Sequence, residues 1–405
     1  HGVELLGSSD RQDLIERVVA FVAAAFAGAP GGGNPAGQRW RDDLRALSDG
    51  LKAIHPKLFF KGNEAEVNGL IAALDARLDS LSDDQIKAGL LRIAAQFDGH
   101  TRIYFGQAAM KWHLYGLRLY AFSDGLRVIG ARPPNEGLTG ARLVRVGETP
   151  ADAAMERIRP YVEHDNESWF RFLAPTYMMI PELLAAEGLI ADANRPDFVF
   201  ERSDGTTVTV QPDAMDIAAF RAWMPLFALP ARSEPMWLSR KGENFWMTCL
   251  EDCRALYIQF NAVQPRSGDE SLSAFAGRAR ELLRGKSVGR VVVDLRHNGG
   301  GDNTTYWPLL TFLQSDEVNQ PGRLYVITGR NTFSAAANFA TELERSTRAI
   351  FVGEPMGGSP NLYGDTRTAT LPNSKIDVWV SARYWQKSAP GDIRPSIDPA
   401  RPALL

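Results

Sequence analysis

Two consecutive strand–loop–helix units in the last third of the chain constrain its fold more than any other feature. Val291–Leu295 is a short apolar run that passes into His297-Asn298-Gly299-Gly300-Gly301-Asp302. Thr304–Leu313 then starts a helix, with Pro308 near its first turn. Leu324–Thr328, bounded by Gly322 and Gly329, is a second compact run of β-branched and aromatic residues. It leads through Asn331-Thr332-Phe333 to Ser334, where Ala335–Leu343 begins a helix without internal Gly or Pro. Repetition of this unit predicts an α/β sheet whose two loops share the carboxyl edge of the strands.

That edge is chemically suggestive. Three consecutive glycines cost backbone entropy on folding, yet they permit positive φ and let bare N–H groups face an anion. A flexible surface loop is the plainer reading. Ser334 stands beside the unpaired N–H groups and positive end of a helix, where an acyl-transfer nucleophile finds donors for its oxyanion. Serine is also a favoured N-cap, and a serine can cap and attack at once.

The ordered segments VVVDLRHNGGGDN, ITGRNTFSAA and VGEPMGGSP resemble the catalytic core of the S41 peptidases. This family includes C-terminal processing proteases, the tricorn core and retinoid-binding modules. The match runs over Arg254–Pro395 and continues more weakly through the N-terminal half. The resemblance implies a ClpP/crotonase-like core of stacked β-β-α units, with Ser334 as nucleophile. It also implies an oxyanion hole from the N–H of Ala335 and of Gly299 or Gly300. One branch of the family carries a lysine in the turn that here reads Gly353-Glu354-Pro355-Met356-Gly357-Gly358-Ser359. No lysine occurs between Ser334 and Lys375, so a Ser–Lys dyad of that form is missing.

Histidine is then the default base, and the chain has six. His1 is terminal, His55 precedes Pro56 at a helix end, and His113 and His164 have no accompanying pattern. His297 adjoins the glycines and takes a minor share. His100, in Phe97-Asp98-Gly99-His100-Thr101, follows the amphipathic Asp84–Gln96 at a tight turn, and the tricorn-type branch carries its base in a similar motif. A histidine base implies activity that falls as pH drops through its pKa, and a rate flat to pH 4 counts against it. The same branch orients its base with a C-terminal glutamate. The corresponding stretch Ser388–Pro399 holds none, which leaves Asp392, with Asp398, Glu354 and Glu342 as other carboxylates.

Composition fits a globular enzyme: 405 residues, 44% hydrophobic, 23% charged. The net charge of −3 gives no basic surface for nucleic acid, and no apolar run is long enough for a transmembrane helix. Cys249 and Cys253 flank Leu250-Glu251-Asp252 in a hairpin-like stretch, where a disulfide and free thiols are both open. The His-Gly start reads as a trimmed or processed end. Val18–Ala29 resembles a short signal core, although an amphipathic helix over Asp10–Phe26 fits better. Periplasmic or secreted placement is expected, with cytoplasmic placement as the other option.

Three regions follow: 1–105, N-terminal, helical and carrying the candidate base; 113–212, β-rich; and 235–405, the α/β catalytic core. Helices are expected at Trp40–His55, Glu64–Ser80 and Ser82–Gln96, and strands at RLYAF, GLRVIGA, ARLVRV, FVFER and TVTVQ. Gly28–Gly37 and Phe220–Ser239 read as connections. The segment ARLVRVGETPADAAMERIRPYV resembles part of a PDZ-like domain, though the usual carboxylate loop is not evident. The functional expectation is a serine peptidase acting through an acyl-enzyme at Ser334 on a peptide or protein substrate, with neither metal nor organic cofactor. Other acyl chemistry on a small molecule (an esterase, lactamase or cyclase) and a non-catalytic binder of hydrophobic ligands or peptides are the alternatives. Oligomeric state is not legible.

Overall fold

A computed structural model describes residues 35–223 and 235–403. The expected helix Asp10–Phe26, the Val18–Ala29 segment and most of both expected connections lie outside them. Helices Pro35–Ile54, Glu64–Asp75 and Asp83–Ala94 open the described chain. The last is closed by a capping box between Ser82 and Gln85, the reciprocal pair that satisfies two orphan N–H groups. Among the described residues, no helix is long and apolar enough to cross a membrane.

The middle of the chain forms an antiparallel sheet from Leu117–Phe122, Gly125–Ala131, Arg142–Val146, Phe198–Glu201 and Thr207–Val210, as the alternating pattern predicts. Two helices not expected from the sequence interrupt it, Glu167–Tyr177 and Pro181–Ala186. Asn166 caps the first by accepting from Trp169 N–H, and Pro175 inside that helix weakens its local signal. This sheet and the N-terminal helices share one hydrophobic core, which includes Leu47, Leu90, Phe97, Phe170 and Phe200.

A second core belongs to a mostly parallel sheet ordered Phe245–Leu250, Ala255–Phe260, Arg290–Asp294, Leu324–Thr328, Ile350–Gly353 and Arg401–Pro402. The first pair is an antiparallel hairpin closed by a Cys249–Cys253 disulfide, and every later pairing is parallel. Helices Leu272–Gly285, Trp307–Leu313 and Ala335–Ser346 fill the crossovers. Spatial order follows chain order, so crossovers of the usual right hand place these helices on one face.

A long hairpin, Asn361–Thr370 with Asp377–Gln386, joins the two cores. Its far end (Val378, Val380) packs in the first and Leu362 in the second. Its ladder runs from Thr370 opposite Asp377 to Asn361 opposite Gln386, with Leu362, Tyr363 and Gly364 buried and Asp365–Thr368 exposed. Arg102–Ile103 pairs with it at Trp379 and Val378, two residues after His100.

Candidate active site

The Ser334 loop is held by its neighbour. Thr332 Oγ1 donates to the Leu295 carbonyl (2.9 Å), Phe333 N–H to that of Asn298 (3.1 Å), and Asn331 Nδ2 to that of His297 (3.0 Å). Ser334 occupies the N-cap position with φ 54° and ψ −126°, yet its side chain makes no capping hydrogen bond. A non-glycine residue in such a conformation is strained, and the surrounding structure must hold it there. Capping therefore does not account for this serine.

Across from it stand Gly300 (φ +109°) and Gly301 (φ +143°). A Cβ on Gly300 would lie 2.6 Å from Ser334 Cβ and 3.0 Å from Ala335 N, a closeness that only glycine allows. The Gly300 N–H is engaged, donating to Asn298 Oδ1 at 3.0 Å. The N–H groups of Gly299 and Ala335 have no hydrogen-bond partner among the described residues. Of the three expected oxyanion groups, these two are free to donate.

His100 sits in a turn built by Asp98. Asp98 Oδ1 accepts the N–H of His100 and Thr101, both at 2.8 Å, and the Ser381 hydroxyl at 2.8 Å. Asp98 Oδ2 accepts Thr101 Oγ1 (2.9 Å) and faces His55 Nε2 (3.1 Å). Lys57 N–H donates to His55 Nδ1, which assigns the His55 proton to Nε2 and makes it a donor to Asp98. Burial opposes the Asp98 charge, but hydrogen bonds from His55, Ser381 and Thr101 and the attraction of His100 hold it down to about 2.

The His100 ring stacks on Phe333, the residue before Ser334, with centroids 4.3 Å apart. Trp169 stacks on Phe333's ring at 3.9 Å. Both His100 ring nitrogens are buried with no hydrogen-bond partner, so no Ser334–His100 hydrogen bond is present. Burial drives the His100 pKa down to about 4 and Arg102 pushes the same way. Asp98, and the Tyr363 carbonyl that faces the ring without closing a hydrogen bond, oppose this. The imidazole is thus neutral and unengaged one residue from Ser334.

The expected acid, Asp392, is not brought to His100. It binds Ser388 Oγ (2.6 Å) and Arg394, which also pairs with Glu344 near the far end of the Ser334 helix. The Arg394 hydrogen bonds hold its pKa far below the usual carboxylate range. Glu354 pairs with Arg330 (2.7 Å), Glu342 with Lys387 (2.9 Å), and Asp398 is exposed. His297 stacks on Trp237, with Nε2 3.1 Å from its carbonyl. The carboxylate whose charge is felt at the His100 ring is Asp98, from its own turn, where the Asp-Gly step marks only a tight turn in the sequence. Asp165 was missed altogether: its Oδ1 accepts the Gly99 N–H at 3.0 Å and its Oδ2 is buried without a partner. No local pattern marks it.

The fold is similar to that of CPAF in solved structures. Mature CPAF complexed with lactacystin gives a TM-score of 0.60 at 11% identity, over 90% of this chain and 94% of that one. A serine-to-alanine CPAF mutant gives 0.63 at 11%, over 91% and 93%. A further structure of mature CPAF gives 0.59 at 13%, over 90% and 93%. Neither a family model nor a curated protein sequence matches the chain. At these identities the likeness carries the fold.

Proposed function

We propose that this protein is a serine peptidase that cleaves peptide bonds through an acyl-enzyme at Ser334. The observation that carries the reading is the strained, uncapped Ser334 packed against Gly300, with the neighbouring N–H groups of Gly299 and Ala335 unpaired. In this mechanism His100 takes the Ser334 proton as the hydroxyl attacks the carbonyl. The two N–H groups stabilise the tetrahedral oxyanion. His100 then protonates the leaving amine, and water returns along the same route to release the acyl group. Asp98 favours the transient imidazolium by its charge.

Other parts of the chain support finer readings. The sequential parallel order with helices in the crossovers agrees with a ClpP/crotonase-like core. The antiparallel middle sheet, with helix Ala151–Ile158 after its strand–turn, agrees with a PDZ-like module, and a groove of about 580 Å³ runs between that helix and the Ala121–Leu126 bend. A disulfide across the Phe245–Phe260 hairpin favours an exported, periplasmic or secreted protein acting as an endopeptidase.

A fluorophosphonate probe tests the proposal, because it labels only an activated serine. Wild type is expected to label at Ser334, Ser334→Ala to remain unlabelled, and His100→Ala to label about 10²–10⁴-fold more slowly. The missing Ser334–His100 hydrogen bond favours one rival, a non-catalytic binder on the same fold. Folded wild type that stays unlabelled would establish that rival.

A further inference from the structure

The hairpin that crosses the site presents a cation to it. A Cβ on Gly364 would point at His100, 3.6 Å from Nε2, so that face of the strand looks onto the candidate base. Arg383 is the direct cross-strand partner of Gly364, and directly paired residues project from the same face of a sheet. Its neighbours at alternate positions agree. Ser381 Oγ reaches Asp98 at 2.8 Å, and Trp385 packs against the core that contains the Ser334 helix. Arg383 therefore rises between the His100 turn and the wall of the Ser334 helix.

Its guanidinium is not used up by the fold. The side chain is 59% exposed and lies over Trp385, with Cζ 3.8 Å from the ring centroid. Among the described residues its ion-pair partner is Asp365, at 3.8 Å and itself half exposed, a contact worth little in water. A guanidinium already held over an indole can offer its fork of N–H donors to a carboxylate, with little further rotamer entropy to lose. The charged groups that act on His100 are Asp98 and Arg102, and Arg383 is not among them, so its guanidinium stands off from the ring.

We propose that Arg383 forms a carboxylate-binding subsite that selects peptides carrying a negative charge near, but not at, the scissile bond. The carboxylate comes from an Asp or Glu side chain or from the substrate's own C-terminus. This rests on the reading of Ser334 and His100 as the catalytic pair.

The test uses the full chain and matched peptides in which Asp or Asn is placed at each of three positions on either side of a cleaved bond. Each peptide is made with a free and an amidated C-terminus. Wild type is expected to prefer Asp over Asn, or free acid over amide, by at least about tenfold in kcat/KM in one register. Arg383→Gln should bring that ratio close to one, and Arg383→Glu should turn it toward Lys-bearing peptides. A ratio below about threefold everywhere in wild type, or one unmoved by Arg383→Gln, overturns the subsite. If no peptide is cleaved, binding of the same peptides to Ser334→Ala by fluorescence anisotropy gives the same acid-to-amide ratio, and its absence there overturns the proposal as well. Fluorophosphonate labelling separates the failures: a labelled enzyme without charge preference loses only the subsite, whereas an unlabelled one loses the peptidase reading.

Discussion

At the scale of single residues, the site turns on a histidine kept neutral by burial. An ordinary imidazole base loses its function as pH falls through the middle sixes. Here burial moves the His100 pKa down to about 4, so the acid limb is displaced. The rate criterion drawn from the sequence, that activity flat to pH 4 argues against histidine, therefore gives way to a lower limb. The kcat/KM of wild type should hold from pH 8 to about pH 5 and fall below that with a midpoint near 4. A midpoint near 6.5 would place His100 in a far wetter environment than the one described. Ser334 and His100, which the fold brings to either side of Phe333, stood out in the sequence because each sat in a motif, Ser334 before a helix and His100 in DGHT. The sequence did not show which oxyanion donors were free, since that depends on Asn298 Oδ1 taking the Gly300 N–H.

At the scale of elements, the His100 turn is supported from behind by the segment before helix Glu167–Tyr177. Asp165 accepts the Gly99 N–H, and burial, reinforced by the charge of Asp98, raises its pKa to about 6. The folded state thus holds this proton between about pH 4 and 6 while the unfolded chain releases it. Stability from this group is present below about pH 4 and is lost as pH rises through 6. Asp165→Asn keeps an acceptor for Gly99 and removes the buried charge. It should stabilise the protein by about 3 kcal/mol at pH 8 and by little at pH 4, as read from urea unfolding at the two pH values. Equal effects at both would show that the carboxyl is not buried as described. The strands and helices of the parallel sheet were legible because each carries its own periodicity. The supporting carboxylate was not, because its place is set by a partner distant in sequence, Gly99 for Asp165.

At the scale of the molecule, the site lies where two hydrophobic cores meet, and polar contacts as well as packing join them. Phe333 bridges from the Ser334 loop to Trp169, while Asn166 Nδ2 reaches the carbonyls of Met356, Gly357 and Pro395. Arg330, four residues before Ser334, is 7% exposed. It donates to the Ala121 carbonyl in the middle sheet, lies over Tyr120, and pairs with buried Glu354 at 2.7 Å in the parallel-sheet unit. The geometry of that pair falls short of a hydrogen bond at Glu354 Oε1, so attraction between the charges carries the contact. Arg330→Met leaves the Glu354 charge buried and alone, at a cost of about 3–5 kcal/mol. Because the lost guanidinium also spans the two cores, calorimetry of this variant should show the single unfolding transition broaden or split. Arg330→Met with Glu354→Leu removes both charges and should recover a large part of the stability, whereas the bridge to Ala121 stays broken. The double variant should therefore still unfold less cooperatively than wild type. A single variant within about 1 kcal/mol of wild type would show that packing between Phe333 and Trp169, and not the buried charge pair, holds the two halves of the site together.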